Sequence, residues 1–321
     1  MNLDRTSIVV GSRGQDGTLL SRNLMDRGIR VIGIGRSVTT LNGHPLALAV
    51  DIRSASAVAH LVEEWNPSEV YYLAAHHNSS EDFSLGESTD ELFRRSQEIH
   101  VTCLVNFLSA IEKSSPTTRL FYAGSSLIFG RNGEDGQDET TAYDPDGVYG
   151  ITKAQGLWMC REYRNKHGVY ACGGILYNHE SHLRPATFLT SKVIQTAYRI
   201  ASGSIERLKI GSLSARVDWG LAKDYVGAFE AILRIENPGD YIIATGVLHS
   251  VEEFIASVFH YFRLDWRRHV DINPEILSRQ RSSARAIPAK LERDTGIILA
   301  RPLQELVDVL IRDHITAKSN P

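Results

Sequence analysis

Tyr149 and Lys153 lie four residues apart in Tyr149-Gly150-Ile151-Thr152-Lys153, a spacing that puts both side chains on one face of a helix. A lysine ammonium beside a phenol favours the phenolate and draws the tyrosine below its reference pKa of about 10. Such a tyrosine takes a proton from an alcohol near neutral pH. The pair alone also fits an ordinary solvated helix face, and what lies upstream decides between the two. Gly11, Gly14 and Gly17 follow the strand-like run Ser7-Ile8-Val9-Val10 and open a helix through Leu19, Leu20, Leu24 and Met25 to Gly28. There the first glycine allows a tight turn. The others let backbone approach a phosphate or a helix pack on its strand, while helix N–H groups face a pyrophosphate. The loop from Gly11 through Gln15 and Asp16 to Gly17 reads as a dinucleotide cradle, with a purely structural glycine turn as the plainer alternative.

The elements that must position these groups alternate. Arg30–Ile34 reads as a second strand, Ala47–Val50 as a third closed by Asp51, and Ser56–Trp65 as a helix. Glu69–Leu73 is a fourth strand, Glu91–Ile111 a long amphipathic helix, Leu120–Ala123 a fifth strand and Gly150–Lys166 a helix. Strands alternating with helices imply βαβ units, so the expected fold is α/β, a Rossmann doubly wound parallel sheet. Beyond about Gly174 the pattern loosens into helices over Phe188–Ala201, Val251–Phe262 and Leu303–Ile315, with short strands such as Tyr241–Ala244 between them. This divides the chain into a dinucleotide-binding domain, 1–174, and a smaller C-terminal α/β substrate-binding region, 175–321, with part of 213–245 returning to the Rossmann sheet. The polar run Arg131–Thr141 reads as a surface loop near the site, either a lid or a plain connector.

The 321 residues suffice for one or two domains, and 42% hydrophobic with 23% charged residues is ordinary globular composition. A net charge of −3 gives no reason to expect nucleic acid or membrane as a partner. Cys103, Cys160 and Cys172 form no CxxC pair, so neither a disulfide framework nor a metal site is expected. Met1–Arg5 leads straight into a strand-like run and no apolar stretch reaches ~18 residues, so the expected compartment is the cytoplasm. Gly35-Arg36-Ser37 after the second strand holds no acid for a ribose 2′-hydroxyl, and an arginine there suits a 2′-phosphate; this favours NADP, with NAD as the alternative and a solvated Arg36 as the plain one. Asp51 either accepts from the adenine amino group or caps the following helix. Leu73-Ala74-Ala75 brings small residues where the chain passes the cofactor.

With these motifs in view, the chain resembles the extended short-chain dehydrogenases/reductases that modify nucleotide sugars, and within them the GDP-mannose 4,6-dehydratase group. The stretches that carry the resemblance are Gly14–Gly17, Tyr71–Ala75, Tyr149–Lys153, Gly174–Ser181, Asp218–Tyr225 and Ile243–Gly246, spread over almost the whole chain. The resemblance implies that Tyr149 removes the proton of a sugar 4-hydroxyl while the C4 hydride moves to a nicotinamide. Lys153 then holds the nicotinamide ribose and tunes Tyr149, and Ser125 hydrogen-bonds the same sugar oxygen. It places His179 and Arg184 around the cofactor, Ser126 and Asn178 at the substrate, and Lys192 near the substrate's nucleotide. It also implies a homodimer built on the helices of Glu91–Ile111 and Tyr149, with a tetramer as the larger alternative.

Two positions depart from the group. The dehydratases carry Thr-Ser-Glu or Thr-Asp-Glu where this chain has Ser125-Ser126-Leu127, and their glutamate removes the C5 proton. Elimination β to a ketone needs such a base, and leucine supplies none; Glu180, His76 and His77 are the nearest substitutes. Val217 stands where the group clamps diphosphate with arginine, leaving Arg216 beside it and the basic run Arg279, Arg281 and Arg285 as compensation. Leu183, Pro185 and Ala186 likewise replace the arginine-rich loop of the dehydratase tetramers. The expectation is an NADP-dependent oxidoreductase acting at C4 of a nucleotide-diphosphate sugar, GDP-linked, as a C4 dehydrogenase, reductase or epimerase. The alternatives are a true 4,6-dehydratase with another base and a non-catalytic dinucleotide-binding regulator.

Overall fold

The computed structural model describes residues 5–35, 39–41, 44–76, 88–133, 135–276 and 284–319; Arg36, Ser37, His77, Arg279 and Arg281 lie outside the described residues. The chain begins β1 (Thr6–Val10), α1 (Gln15–Asp26), β2 (Arg30–Gly35), β3 (Thr39–Leu41), β4 (His44–Ala49), α2 (Ala55–Trp65) and β5 (Glu69–Tyr72). It continues α3 (Thr89–Gln97), α4 (Cys103–Ser114), β6 (Arg119–Ala123), α5 (Val148–Lys166), β7 (Tyr170–Leu176), β8 (Asn178–Glu180) and α6 (Leu189–Ala201). Then come β9 (Leu208–Ile210), β10 (Arg216–Leu221), α7 (Ala222–Ile232), β11 (Asp240–Ile243) and β12 (Leu248–Ser250). The chain closes with α8 (Val251–Tyr261), β13 (Val270–Ile272), α9 (Ala289–Thr295) and α10 (Leu303–Ser319).

Eight strands form one sheet in the order β11-β7-β6-β5-β1-β2-β4-β3. All its pairs are parallel except β3–β4. Parallel neighbours need long crossovers, and helices supply them on both faces. Ile8 and Val10 of β1, with Leu120 and Tyr122 of β6, face a core shared with α2, α4 and α5. Val9, Phe121 and Ala123 face the opposite core, shared with α1 and α7. Strands covered on both sides have no solvent face, which is why their sequences read as unbroken apolar runs. The fold is therefore the Rossmann doubly wound α/β sheet. A third core joins α6, α8 and α10 to β9, β10 and β13. There β10 pairs parallel with β8 and antiparallel with β12. Among the described residues no helix is long and apolar enough to cross a membrane.

Three elements differ from the sequence reading. The strand expected over Ala47–Val50 is β4, His44–Ala49, and β3 precedes it. The Glu91–Ile111 helix is interrupted by a π turn over Glu98–Thr102. Tyr170–Leu176 is a seventh strand whose pattern is thinned by Gly173 and Gly174. Those glycines have a steric reason: a Cβ on Gly173 would lie 2.4 Å from Leu157 and one on Gly174 2.4 Å from Phe121. Trp158 stacks on Tyr143 but remains 50% exposed.

Close approach also sets α5, the helix of Tyr149 and Lys153. A Cβ on Gly156 would sit 2.2 Å from the Tyr122 hydroxyl, and one on Gly150 2.4 Å from the Leu127 carbonyl oxygen. Contacts under 3.0 Å are not tolerated by real Cβ atoms, so these glycines let α5 lie directly on β6 and the turn after it. The loop 131–141 is pinned as a wall: Gln137 N–H donates to Arg285 O at 2.8 Å, and Ile287 N–H to Gln137 O at 2.8 Å.

Candidate active site

A cleft of about 480 Å³ opens beyond the carboxyl ends of β5, β6 and β7, bordered by Leu73, Ala75, Ser125, Ser126, Tyr149 and Lys153. Asp16, Asn178, His179, Arg184 and Arg216 border it too. This is where open α/β sheets bind ligands. The glycine loop forms one end. Gly11 has φ +86, a conformation suited to glycine, and a Cβ there would meet Ala74 N at 2.9 Å. A Cβ on Gly17 would lie 2.3 Å from Gly11 O, so loop and helix touch backbone to backbone. Gly14 caps α1 without any side-chain hydrogen bond, leaving the helix N-terminus for an external anion. A cradle stripped of Cβ atoms at an uncapped helix end fits a dinucleotide pyrophosphate.

Gln15 and Asp16 tie this loop to β8. Gln15 Nε2 donates to His179 O at 3.0 Å, and Ser181 Oγ donates to Gln15 Oε1 at 2.8 Å. His179 Nε2 lies 2.9 Å from Asp16 Oδ2, its Nδ1 lies 2.7 Å from Tyr177 O, and its ring stacks on Tyr225 at 4.6 Å. Burial works against both charges. Even so, the imidazolium holds Asp16 below its usual value, and Asp16 holds His179 above its own. The signs set a pH window. The histidine's contribution is full below its ordinary 6.5 and lost as pH rises through its raised folded value. The aspartate's contribution is full above its ordinary 3.8 and lost as pH falls through its lowered folded value. The pair's own contribution to stability in urea unfolding should therefore decline as pH rises above 6.5. Asp16→Asn should remove that contribution, so that the stability gap to wild type narrows as pH rises above 6.5; a gap that does not change with pH would dismiss the pair.

Ser125, Tyr149 and Lys153 come together as the sequence predicts. Ser125 follows β6, is 8% exposed, and its Oγ accepts from Leu127 N–H at 3.2 Å. Tyr149 stands in the first turn of α5, whose N-cap is Gly147, where the positive end of the helix dipole favours a phenolate. Lys153 is 1% exposed; its Nζ donates to Ala123 O at 2.7 Å and lies 5.7 Å from the Tyr149 ring centre. Burial lowers Lys153 to about 7, and the nearby Asp16 carboxylate counters part of that fall.

His100 carries no motif in the sequence and is a site residue that sequence reasoning misses. It lies in the π turn between α3 and α4, fully buried, with its ring edge-on to Tyr149 at 5.3 Å and 87°. The His76 N–H donates to its Nε2 at 3.0 Å, so the ring proton resides on Nδ1, 2.8 Å from Thr152 Oγ1. Thr152 in turn donates to Val148 O at 2.9 Å. A neutral imidazole thus joins the chain after β5 to the helix turn bearing Tyr149. Only the π turn could have signalled it, and a π turn has no sequence signature.

Other expected residues fall elsewhere. Glu180 does not replace the missing base: its carboxylate accepts from Thr190 Oγ1 at 2.6 Å and from Arg184 Nε at 3.3 Å, and it does not border the cleft. Arg184 borders the cleft with its guanidinium over the Phe188 ring at 4.4 Å. Asp51 is not the cap of α2, a place taken by Ser54. Asp51 instead holds Arg53 through bonds of 2.8 and 2.9 Å. Arg216 reaches the cleft with one guanidinium nitrogen on Leu248 O at 2.9 Å, whereas Lys192, on α6, does not border it. Leu127 lines the cleft beside Ser126.

Comparison with known proteins agrees with this geometry. Residues 8–298 match the family model described as GDP-mannose 4,6 dehydratase. The chain is 32% identical over 289 residues to GDP-mannose 4,6 dehydratase 2 of Arabidopsis thaliana, covering 84% of this chain and 75% of the relative. A solved dTDP-glucose 4,6-dehydratase from Bacillus anthracis in complex with NAD superposes with TM-score 0.83 at 14% identity, over 98% of each chain. RMD from Pseudomonas aeruginosa complexed with NADPH superposes with TM-score 0.78 at 17% identity, over 98% of this chain and 99% of that one.

Proposed function

The chain belongs to the GDP-mannose 4,6 dehydratase family, and on that premise we propose that it oxidises or reduces C4 of a GDP-linked hexose without completing 4,6-dehydration. The carrying observation is that Ser125, Tyr149 and Lys153 share one cleft with Leu127. A nicotinamide dinucleotide, when bound, supplies the hydride acceptor or donor for C4. NADP is our choice over NAD, from Arg36 and the lack of an acid beside it. Gly11, Gly14, Gly17, His179 and Arg184 would hold that dinucleotide, and the region 175–321 would hold the nucleotide sugar through Asn178 and Arg216.

In this reading Ser125 donates to the sugar's O4 and Tyr149 takes the O4 proton. Lys153 keeps the phenolate form accessible and orients the nicotinamide ribose. Elimination requires a base for the C5 proton, and the wall at Leu127 is hydrocarbon. The test is product analysis of GDP-mannose incubated with purified protein and NADP. NADPH formation or a C4 epimer supports the reading; a 6-deoxy-4-keto sugar overturns the preference for redox chemistry. Leu127→Glu should raise elimination by roughly 10²-fold or more, the scale of a positioned base, measured as 6-deoxy-4-keto product per turnover. No rise would mean that Leu127 is not the block.

We further propose a homodimer through α3 and α5, whose Phe93, Ile151 and Trp158 are exposed at 38%, 38% and 50%. A monomer in sedimentation velocity would refute it. The cytoplasm is the proposed compartment, consistent with three buried free thiols; cell fractionation tests it.

A further inference from the structure

We propose that Asp146 is the residue that selects the sugar, its carboxylate accepting a hydrogen bond from the hydroxyl on C3 or C6; this rests on the nucleotide-sugar reading above. Three described carboxylates border the cleft, Asp16, Asp146 and Asp218. Asp16 is committed to His179. Asp218 accepts from Thr245 N–H at 3.0 Å, Thr245 Oγ1 at 2.7 Å and Gly246 N–H at 2.8 Å, which anchors the turn after β11. Asp146 is exposed and, among the described residues, makes no hydrogen bond or ion pair.

The backbone of Asp146 is nevertheless held. Asp144 N–H donates to Ile128 O at 2.9 Å. A Cβ on Gly150 would lie 3.0 Å from Pro145 Cβ and 2.4 Å from Leu127 O. The segment before α5 is thus pressed against the Ser126–Ile128 turn. Asp146 precedes the helix cap Gly147 and stands three residues before Tyr149. A fixed backbone with an uncommitted carboxylate suits ligand recognition better than fold maintenance.

The ligand's own charge decides which part faces it. An ionised carboxylate only accepts hydrogen bonds, so it selects a donor. A diphosphate at close range is repelled, which assigns the phosphates to the Arg216 side and the neutral sugar to Asp146. With O4 held at Tyr149 and Ser125, which share the cleft with Asp146, the hydroxyls closest to O4 are the one on C3, bonded to C4, and the one on C6, two bonds from C4, and one of these is assigned to Asp146. A site that hydrogen-bonds a substrate hydroxyl discriminates against the analogue lacking it.

The test compares wild type, Asp146→Ala and Asp146→Asn with GDP-mannose and its 3-deoxy and 6-deoxy analogues, alongside NADPH titrations. Wild type should disfavour one analogue by roughly 10- to 100-fold in kcat/KM. Asp146→Ala should lose about the same factor on GDP-mannose, mainly in KM, and treat parent and analogue alike. Asp146→Asn should recover part of the loss, and NADPH affinity should stay unchanged. The inference is overturned if Asp146→Ala matches wild type on GDP-mannose while C4 chemistry persists, or if NADPH affinity falls in step with turnover. A wild type that neither binds nor turns over GDP-, UDP- or dTDP-hexoses overturns the functional reading and this inference together.

Discussion

Tyr149→Phe is expected to lower turnover by roughly 10²–10⁴-fold, the range for loss of a positioned acid–base group. Dinucleotide affinity should stay within about tenfold of wild type, because this change usually removes one hydrogen bond of modest net worth. The substitution leaves the ring, so its edge contact with His100 at 5.3 Å and its place in the first turn of α5 persist. What disappears is the oxygen that takes the O4 proton. Turnover with a GDP-hexose gives the first readout, and fluorescence titration with NADPH and NADH gives the second, which also ranks the two cofactors. A dinucleotide-binding regulator has no use for this oxygen. Full activity in Tyr149→Phe would remove Tyr149 from the chemistry, and unaltered dinucleotide binding with no turnover in either protein would favour the regulator over an enzyme.

How much of this site could be read from the sequence follows from the range of its interactions. Tyr149 and Lys153 are one helix turn apart, and the glycines of the loop are three residues apart, so local spacing exposes them. The apolar runs of β1, β5 and β6 are equally local, because a strand covered on both faces needs apolar residues at every position. His100 acts through His76 and Thr152, 24 and 52 residues away; no window of sequence contains that network. Glu180 illustrates a different failure. It sits beside His179 on a strand of only three residues, too short for alternation to say which way a carboxylate turns, and Thr190 and Arg184 claim it. Asp146 was invisible for the opposite reason, since its interest lies in having no partner while its neighbours at the cleft are supplied by β6 and β10.

Lys153→Met carries the second large expectation, a loss of activity joined to a gain in stability. Lys153 is buried, and burial is the main cause of its low value of about 7, against an ordinary 10.5. Between those values the unfolded chain binds a proton that the folded chain lacks, so this group's contribution to stability rises with pH across that window. Below about 7 the folded protein must carry the charge in its interior. At 1.36 kcal/mol per unit the burden is at most about 5 kcal/mol. Methionine fills similar volume without the charge, but it leaves the Ala123 carbonyl without the donor now 2.7 Å away. An unpaired buried carbonyl costs about 1–3 kcal/mol, so the net gain expected near pH 6 is at most about 2–4 kcal/mol, read from urea midpoints, and it should turn into a loss towards pH 10, where only the carbonyl's cost remains. Turnover should meanwhile fall by roughly 10²-fold or more, because Tyr149 loses the cation that favours its phenolate. A variant less stable than wild type at pH 6 would show that the ammonium is well solvated in its pocket. A variant that is both stabilised and inactive would show that the fold bears the cost of a buried lysine for the sake of the chemistry at Tyr149.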